Sequence, residues 1–448
     1  MMPHNTPQET ISFKKNDQRD RAALSKRKTG PVKLKHGKPQ EGKKLAIIGW
    51  SIPSMEAMDN LKKPYMVVSL PAFEEYANQH NIPFISWDFG KNPSYEEVYK
   101  SAELLHHRLK DLEVDHAIPV FEETVEWAGA LNAHFRGDPH LFDHSVLFRD
   151  KAQMKRRAHM GGLKVGVFEE GNTKEDVRRF FKRVNQVLFR HRGDEPDPIH
   201  VKALNKAGAA GHRIIRSEED IDYKLKDDNF PCLMESHLDG VEVSCEAFIC
   251  KGKVQFLNIT EYVVFGYSMM VPPSPEIEKL RPAIREEVQK VVDTFDIDYG
   301  IIHPEFFLAE DGEIYFGEVA YRIPGGHIFD LMKKTYNFNP HEAHVLCCDP
   351  NTKEEELAEV FPDEKSAKGH ASSFLIYPRV NHVNGVNFPE ELEEHPAFDK
   401  HTLFRPADPK IQDLEGYGNH LGTVFFYGDD SEQVKQPLYD YVDHDFFI

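Results

Sequence analysis

Residues 300–320, with the sequence GIIHPEFFLAEDGEIYFGEVA, form two largely apolar runs on either side of Asp311-Gly312. An Asp-Gly pair between such runs is the strongest short-range signal for a two-residue turn in a β-hairpin. That turn would place three pairs of residues opposite each other: Glu310 and Glu313, Phe307 and Phe316, and Glu305 and Glu318. The segment therefore predicts two antiparallel strands whose register brings two glutamates together.

The pairing of Glu305 with Glu318 predicts a cation at this hairpin. Side chains directly opposite in an antiparallel pair have β-carbons about 5 Å apart, so two carboxylates there repel each other. His303 shares the face of Glu305, because side chains alternate along a strand. Mg²⁺ is a hard ion that proteins commonly hold with one or two carboxylates together with nucleotide phosphates. The alternative interpretation is a solvated hairpin face on which the acidic residues are incidental.

Composition narrows the class of protein. A chain of 448 residues is too long for one ordinary core and suggests about two to four domains. Hydrophobic residues make up 40% and charged residues 29% of the chain, as in soluble globular proteins. No apolar run reaches the length of a membrane span, and the N-terminus lacks the apolar core of a secretory signal. Five cysteines without paired CxxC spacing predict neither a disulfide framework nor a zinc ribbon, so the expected location is the cytoplasm.

The net charge of -19 is unevenly distributed. Residues 1–44 contain 12 Lys or Arg against 4 acidic residues, a balance of +8, which leaves -27 for the rest of the chain. So acidic a body would repel nucleic acid, and no nucleic-acid or membrane partner is expected. The basic segment 1–43 lacks a hydrophobic period and is predicted to be a disordered tail, with contact to anionic partners as the alternative.

The N-terminal half of the body alternates between strand and helix patterns. KLAIIGW, PYMVVSL and IPFISWDF read as buried strands, with helix-like segments between and after them. Such alternation predicts a parallel, doubly wound sheet over residues 44–145. The pattern changes near residue 146, where the helix FRDKAQMKRRAHMGG presents Lys151 and Lys155 on one face.

Two further patterns suit an anionic or sugar-bearing ligand. The loop 205–211, NKAGAAG, lies between two predicted antiparallel strands, and its small residues would let backbone amides approach an anion closely. Glu242 lies on one face of an alternating strand, where a carboxylate can accept hydrogen bonds from sugar hydroxyls. An ordinary flexible hairpin and a solvated edge residue are the alternatives.

Taken together, these motifs resemble the ATP-grasp ligases. The resemblance is carried by Lys151-x-x-x-Lys155, Lys202 before the small-residue loop, Glu235-x-x-Leu238-x-Gly240-x-Glu242, Glu305, and Glu318-x-x-x-Arg322, in that order. It covers about residues 145–345, and the flanking parts resemble the carboxylate–amine ligase branch more loosely. The implied fold class is mixed α/β and α+β, with a Rossmann-like pre-ATP-grasp domain, a two-lobed ATP-grasp fold and a small C-terminal α+β cap. The implied boundaries are 1–43, 44–145, 146–365 and 366–448.

The resemblance also implies roles for individual residues. ATP would lie between the two lobes, and the residues matched to nucleotide binding are Lys155, Lys202, Gly208, Gly211, Glu235, Ser236, His237, Leu238 and Glu242. Glu305 and Glu318 match the ligands of Mg²⁺, or of Mn²⁺ in its place. Arg322 matches the residue that holds the substrate carboxylate and its acyl phosphate, followed by Gly325, Gly326 and His327. Arg322, Glu318 and Glu305 are therefore the expected catalytic residues.

The sequence departs from the family pattern at two places. Ala320 stands where many amino-acid ligases of this family have an asparagine, which makes a third side-chain ligand doubtful. The segment Thr260-Glu261-Tyr262 lacks the lysine that often helps to hold the nucleotide.

The implied activity is formation of an amide or peptide bond between a small carboxylate, such as an amino acid, and an amine. ATP would be converted to ADP and phosphate through an acyl phosphate. One rival activity loads the carboxylate onto a thiol or carrier protein, and a second possibility is a nucleotide-binding regulatory protein without catalysis. The sequence leaves a homodimer open and does not name the substrates.

Overall fold

The structure is a computed structural model that describes residues 42–188, 196–206, 209–411 and 420–448. All of these residues belong to one compact unit. The predicted basic tail therefore lies outside the described residues, except for its last two positions.

Sixteen strands are found in the described part of the chain. They are β1 Lys44–Ile48, β2 Tyr65–Ser69, β3 Phe84–Ser86, β4 Val114–Pro119, β5 Phe168–Gly171, β6 Ile199–Ala203, β7 Arg213–Ile215, β8 Cys232–Ser236, β9 Val241–Cys250, β10 Lys253–Val264, β11 Ser268–Val271, β12 Tyr299–Leu308, β13 Ile314–Ala320, β14 His370–Leu375, β15 Phe398–His401 and β16 Thr423–Gly428.

The helices of the same ranges vary from one turn to several. They are α1 Ile52–Asn60, α2 Glu74–Gln79, α3 Tyr95–Asp111, α4 Val125–Arg136, α5 His140–Val146, α6 Lys151–Met160, α7 Lys174–Arg183, α8 Glu218–Lys224, α9 Pro275–Glu278, α10 Arg281–Thr294, α11 Ile328–Tyr336, α12 Pro340–Cys348, α13 Glu354–Val360, α14 Glu390–Glu393 and α15 Ser431–Asp440. None of them combines the length and the apolar character needed to cross a membrane.

The first sheet is parallel, as the alternating sequence pattern predicts. Its strand order is β3-β2-β1-β4. Strands β2 and β3 are therefore added on one side of β1 and β4 on the other, so the order of the strands reverses between β1 and β4. At the carboxyl end of β1, Gly49 has a φ of +112°, and a β-carbon there would come within 2.7 Å of Val120. Ligands of doubly wound sheets bind outside the carboxyl ends of the strands at such a reversal. The loop after β4, which begins at Val120, therefore lies at the edge where a ligand would approach.

The second sheet is a small antiparallel lobe of order β5-β8-β6-β7. One of its faces packs against α7 and α8 through Val177, Phe180, Val201 and Met234, all of them buried. Residues of the opposite face, which include Lys202 and Glu235, point away from these helices.

The third sheet has eight strands in the order β13-β12-β9-β10-β11-β14-β16-β15. Helix α10 covers one face through Ile284, Val288 and Val292, and α11 packs on the other face near Phe248. Strands from the predicted C-terminal cap continue this sheet: β14 pairs with β11, β16 with β14, and β15 with β16. The fold class predicted from the sequence is confirmed. The domain boundaries stay a prediction, and strands from both sides of the predicted boundary at residue 366 share one sheet.

The turn between β12 and β13 differs from the predicted two-residue turn. The amide of Gly312 donates to the carbonyl of Ala309 at 3.0 Å, and the amide of Ala309 donates to the carbonyl of Glu313 at 3.0 Å. The loop therefore contains three residues, 310–312, and ends on Gly312 with a φ of +82°. The predicted pairing of Glu310 with Glu313 is wrong.

A β-bulge restores the opposition of the two glutamates. Phe307 faces Tyr315 instead of the predicted Phe316, whereas Glu305 faces Glu318 as predicted. The register shifts just after Glu305, and Gly317 is the extra residue on β13. A β-carbon on Gly317 would lie 3.0 Å from the carbonyl oxygen of Glu305, so a glycine suits this position. The longer loop and the bulge cancel, and the correct pair was predicted from an incorrect turn.

The buried His344 of α12 should make the stability of the protein depend on pH. Its side chain is 1% exposed, and neither ring nitrogen has a hydrogen-bond partner among the described residues. Burial, followed by the nearby His341, lowers the pKa of His344 to about 3. The unfolded chain therefore takes up a proton near pH 6.5, and folding stability falls as the pH drops below that value.

We expect His344 to cost about 2 kcal/mol of folding free energy between pH 6.5 and pH 5. His344→Leu should remove this cost, and urea unfolding midpoints at pH 7 and pH 5 will measure it. The exposed His159, changed to Leu, is the control and should leave the pH dependence unchanged. An equal loss of stability in the wild type and His344→Leu would contradict the assignment.

Candidate active site

Three carboxylates lie on one face of the large sheet. Glu305 of β12 is opposite Glu318 of β13 and, on its other side, opposite Ser244 of β9. Glu242 shares the face of Ser244, because the two residues are two positions apart on the strand. Burial, and after it the charge of Glu305, raise the pKa of Glu242 to about 9. At neutral pH the carboxyl of Glu242 is therefore largely protonated, and a cation bound nearby would favour its ionised form.

The pair Glu305 and Glu318 fits Mg²⁺ as a partial ligand set. Among residues of the described ranges, no three His, Cys, Asp or Glu side chains are arranged as a metal site. Ala320, as the sequence indicates, offers no side-chain oxygen. Two carboxylates on their own are the protein contribution expected when nucleotide phosphates and water complete the octahedron. The donor set is thus suited to a metal that arrives with a phosphorylated ligand.

Lysines face these carboxylates from the small lobe and from α6. Lys155 and Lys202 contact the two oxygens of the Glu235 carboxylate at 2.6 and 2.8 Å, and Lys151 contacts Glu318. Burial acts to raise the pKa of Glu235, but the two ammonium groups outweigh it and hold that pKa well below its usual range. Burial likewise acts to lower the pKa of Lys202, but Glu235 and Glu318 outweigh it and raise that pKa. At neutral pH both partners are charged.

The positions of these lysines follow from local structure. Asp150 caps α6 by accepting hydrogen bonds from the amides of Ala152 and Gln153, both at 3.0 Å. Lys151 and Lys155 then lie one turn apart at the start of this helix and point to the same side. Lys202 comes from β6, whose neighbour β8 supplies Glu235. Two separate elements, α6 and β6, therefore place three ammonium groups beside Glu235 and Glu318.

The other residues predicted to bind nucleotide lie at the edge of the small lobe. Ser236 donates its amide to the carbonyl of Val167 at 2.8 Å, and its hydroxyl oxygen accepts the amide of Val167 at 3.1 Å, which fixes the end of β8. Gly211 has a φ of +69°, and a β-carbon there would come within 2.8 Å of Ala203. Leu238 lies beside Gly166. Gly208, predicted for the same loop as Gly211, lies outside the described residues.

Arg322 lies on the other side of the carboxylates and contacts the first sheet. Its Nε donates to Glu122 at 2.8 Å, and Arg149 donates to the second oxygen of the same carboxylate at 2.6 Å. Burial acts to raise the pKa of Glu122, but Arg322 and Arg149 outweigh it and lower that pKa. Sequence reasoning missed Glu122. Its place directly after β4, at the reversal of the parallel sheet, was the available signal.

The loop after Arg322 rests on the C-terminal half of the large sheet. Gly326 has a φ of +62°, and a β-carbon there would lie 2.4 Å from the methyl group of Met269. The carbonyl of Gly326 accepts a hydrogen bond from the hydroxyl of Ser373 at 2.6 Å. His327 pairs with Asp330 at 2.9 Å, while Gly325 has open space around its α-carbon. The structure thus holds this loop close to the sheet and leaves Gly325 accessible.

A buried polar network lies beside Glu305 on the same face of the sheet. The carboxylate of Glu246, with no exposed surface, accepts hydrogen bonds from Asn258, Thr260 and Nδ1 of His303, the last at 2.9 Å. Nε2 of His303 is 3.6 Å from Glu305. Burial acts to lower the pKa of His303, but hydrogen bonds with these two glutamates outweigh it and raise that pKa to about 9. Glu246 was also missed from the sequence.

A parallel sheet domain, a small antiparallel lobe with inward lysines and a large antiparallel sheet with paired carboxylates together define the ATP-grasp architecture. The chain therefore has the ATP-grasp fold, which it shares with the solved structures that superpose on it. No model of a known protein family matches the chain.

Individual relatives support this assignment. The chain is 26% identical over 254 residues to an L-arginine-specific L-amino acid ligase of Bacillus subtilis, an alignment that spans 53% of this chain and 59% of that protein, less than two thirds of its length. The crystal structure of an L-amino acid ligase from Bacillus licheniformis superposes with a TM-score of 0.69 at 18% identity, covering 91% of this chain and 99% of that one. N5-carboxyaminoimidazole synthetase from Staphylococcus aureus, complexed with ADP, gives 0.61 at 18% identity, covering 89% and 97%. At such identities the structural likeness shows the fold.

Proposed function

We propose that this protein is an ATP-dependent carboxylate–amine ligase that forms an amide or peptide bond through an acyl phosphate. The observation that carries the proposal is the opposition of Glu305 and Glu318 on the sheet, with Lys202 facing them from the small lobe and Arg322 beside them. Fixed positive groups next to a carboxylate pair suit the transfer of a phosphoryl group, which depends mainly on positioning and electrostatics. The named activities of the relatives agree with it.

In this proposal ATP lies between the small lobe and the large sheet. Lys155 and Lys202 would exchange their contact with Glu235 for the nucleotide phosphates, and the segment 235–238 would hold the base through its backbone. Glu242 would reach the ribose. Glu305 and Glu318 would hold Mg²⁺, or Mn²⁺, which when bound supplies positive charge at the outer phosphates.

Arg322 would orient the substrate carboxylate. One carboxylate oxygen attacks the γ-phosphorus of ATP, the bond from that phosphorus to the β-bridging oxygen breaks, and ADP leaves. The amine then attacks the carbonyl carbon of the acyl phosphate, loses a proton and expels inorganic phosphate. Residues Gly325, Gly326 and His327 would cover this carbon, because the loop lies against the sheet next to Arg322. Excluding water there matters, since the anhydride reacts with water as well.

Amino acids are the proposed substrates, on the strength of the relatives' names. A reducing compartment such as the cytoplasm is the proposed location, because all five cysteines are buried as free thiols. The domain boundaries at residues 44, 146 and 366 belong to the same proposal.

The test is a screen of amino acid pairs with Mg-ATP, in which release of ADP and phosphate is measured. For an active pair, oxygen-18 in the donor carboxylate should appear in inorganic phosphate, because a carboxylate oxygen leaves with the phosphoryl group. Hydroxylamine in place of the amine should give a hydroxamate with ADP as the coproduct. Label found in AMP would contradict the acyl phosphate route. Release of ADP that requires a thiol or a carrier protein would favour the first rival, and nucleotide binding without turnover under any condition would favour the regulatory one.

A further inference from the structure

Three histidines of the small lobe form one hydrogen-bonded chain. Nδ1 of His200 lies 2.9 Å from Nε2 of His212, and Nε2 of His200 lies 2.9 Å from Nδ1 of His237. The rings lie edge to edge, with centroids 5.1 and 5.2 Å apart and interplanar angles of 27° and 20°. His200 therefore uses both of its nitrogens, one on each neighbour. We call these three residues the histidine chain.

Each member of the histidine chain is next to a residue that the proposed function assigns to nucleotide binding. His200 lies two residues before Lys202 on the same strand, and both point to the same face. His212 directly follows Gly211, the last residue of the loop 205–211. His237 belongs to the segment 235–238, which is proposed to hold the base. The chain therefore connects three separate pieces of backbone that would contact different parts of one nucleotide.

The hydrogen bonds of the chain join ring nitrogens to ring nitrogens, so in each one a protonated nitrogen donates to an unprotonated one. Asp239 lies 3.4 Å from Nε2 of His237, at the end of the chain. Burial, followed by the charge of Lys202, lowers the pKa of His200 to about 3 and that of His212 to about 4. At neutral pH both rings are uncharged, and each can donate once and accept once.

We infer that His200 is a positioning residue that holds the backbone at Gly211–His212 and the base-binding segment 235–238 at a fixed separation, so that a nucleotide engages both at once. This inference rests on the proposed function, since it concerns the same nucleotide site. A ligand that spans two prearranged subsites gains affinity over its separate halves. Loss of His200 should therefore weaken a whole nucleotide more than it weakens either half.

The test compares the affinities of ADP, adenosine and inorganic tripolyphosphate, measured by calorimetry in the presence of Mg²⁺. In His200→Phe we expect the dissociation constant of ADP to rise about tenfold, the usual effect of losing buried hydrogen bonds. Those of adenosine and tripolyphosphate should change by less than about threefold. His200→Gln keeps a donor and an acceptor and should lie between the wild type and the phenylalanine variant. If His200→Phe fails to fold, the affinities of the same three probes are compared in His200→Gln.

A matched control is His134→Phe in the first domain. His134 is likewise partly buried, and its Nε2 bonds to the carbonyl of Tyr99 at 2.9 Å, far along the chain from the small lobe. It should leave all three affinities unchanged. Unchanged ADP binding in a folded His200 variant, or an equal loss for all three probes, would overturn the positioning role while leaving the proposed function intact. A wild-type protein that binds none of the probes would overturn the proposed function and this inference with it.

Discussion

Glu318→Gln is expected to lower the rate of ADP release by at least about 100-fold while the protein stays folded. Glu318 faces Glu305 across the hairpin and contacts Lys151. Burial acts to raise the pKa of Glu318, but Lys151 and Lys202 outweigh it and lower that pKa to about 2. The carboxylate is thus fully ionised at neutral pH, and the substitution removes one unit of negative charge where a cation is proposed. Glutamine has nearly the same shape, so packing should be preserved.

The measurement is turnover at saturating Mg-ATP with an active substrate pair, together with the melting temperature. Glu313→Gln is the control, because Glu313 lies in the same hairpin and pairs with Lys164 at the surface. It should keep near-normal turnover. Turnover of Glu318→Gln within about threefold of the wild type would remove Glu318 from the proposed metal site.

The part of this site that could be predicted from the sequence is the part fixed by local patterns. Alternating strands and helices gave the parallel sheet, and the Asp311-Gly312 turn placed Glu305 opposite Glu318. The exact register could not be read, because the third loop residue and the bulge at Gly317 depend on how β12 packs between β9 and β13. The extra loop residue and the bulge shift the register by one residue in opposite directions, so the two shifts cancel.

Contacts between distant segments could not be predicted. Glu122 and Arg322 are 200 residues apart in the chain, and only the docking of the first sheet against the large one brings them together. The histidine chain has the same origin, since His200, His212 and His237 come from a strand, a loop and a strand end. Each of these side chains has an unremarkable sequence context. The hydrogen bonds between these side chains form only when the sheets are assembled.

Arg322→Lys is expected to lower kcat/KM for the carboxylate substrate by about 100-fold, although the charge is kept. Arg322 donates through Nε to Glu122 at 2.8 Å and through Nη1 to the carbonyl of Ile323 at 2.9 Å. Those two bonds fix the plane of the guanidinium group. Lysine can replace the charge but not the planar pair of donors that a carboxylate or an acyl phosphate accepts. The affinity for ADP, bound on the other side of the site, should stay within about threefold of the wild type.

Two comparisons separate direct binding of the carboxylate from support of the fold. Arg379→Lys changes a second arginine, one that bonds to the carbonyls of Val442 and Asp443, and should have little effect on kcat/KM. Glu122→Gln removes the charge that orients Arg322, so it should raise KM for the carboxylate by a smaller factor than Arg322→Lys. Combined with Arg322→Lys it should add little, because both changes act through the same guanidinium group. Normal kinetics of Arg322→Lys together with impaired kinetics of Arg379→Lys would move the carboxylate site to the C-terminal part of the large sheet.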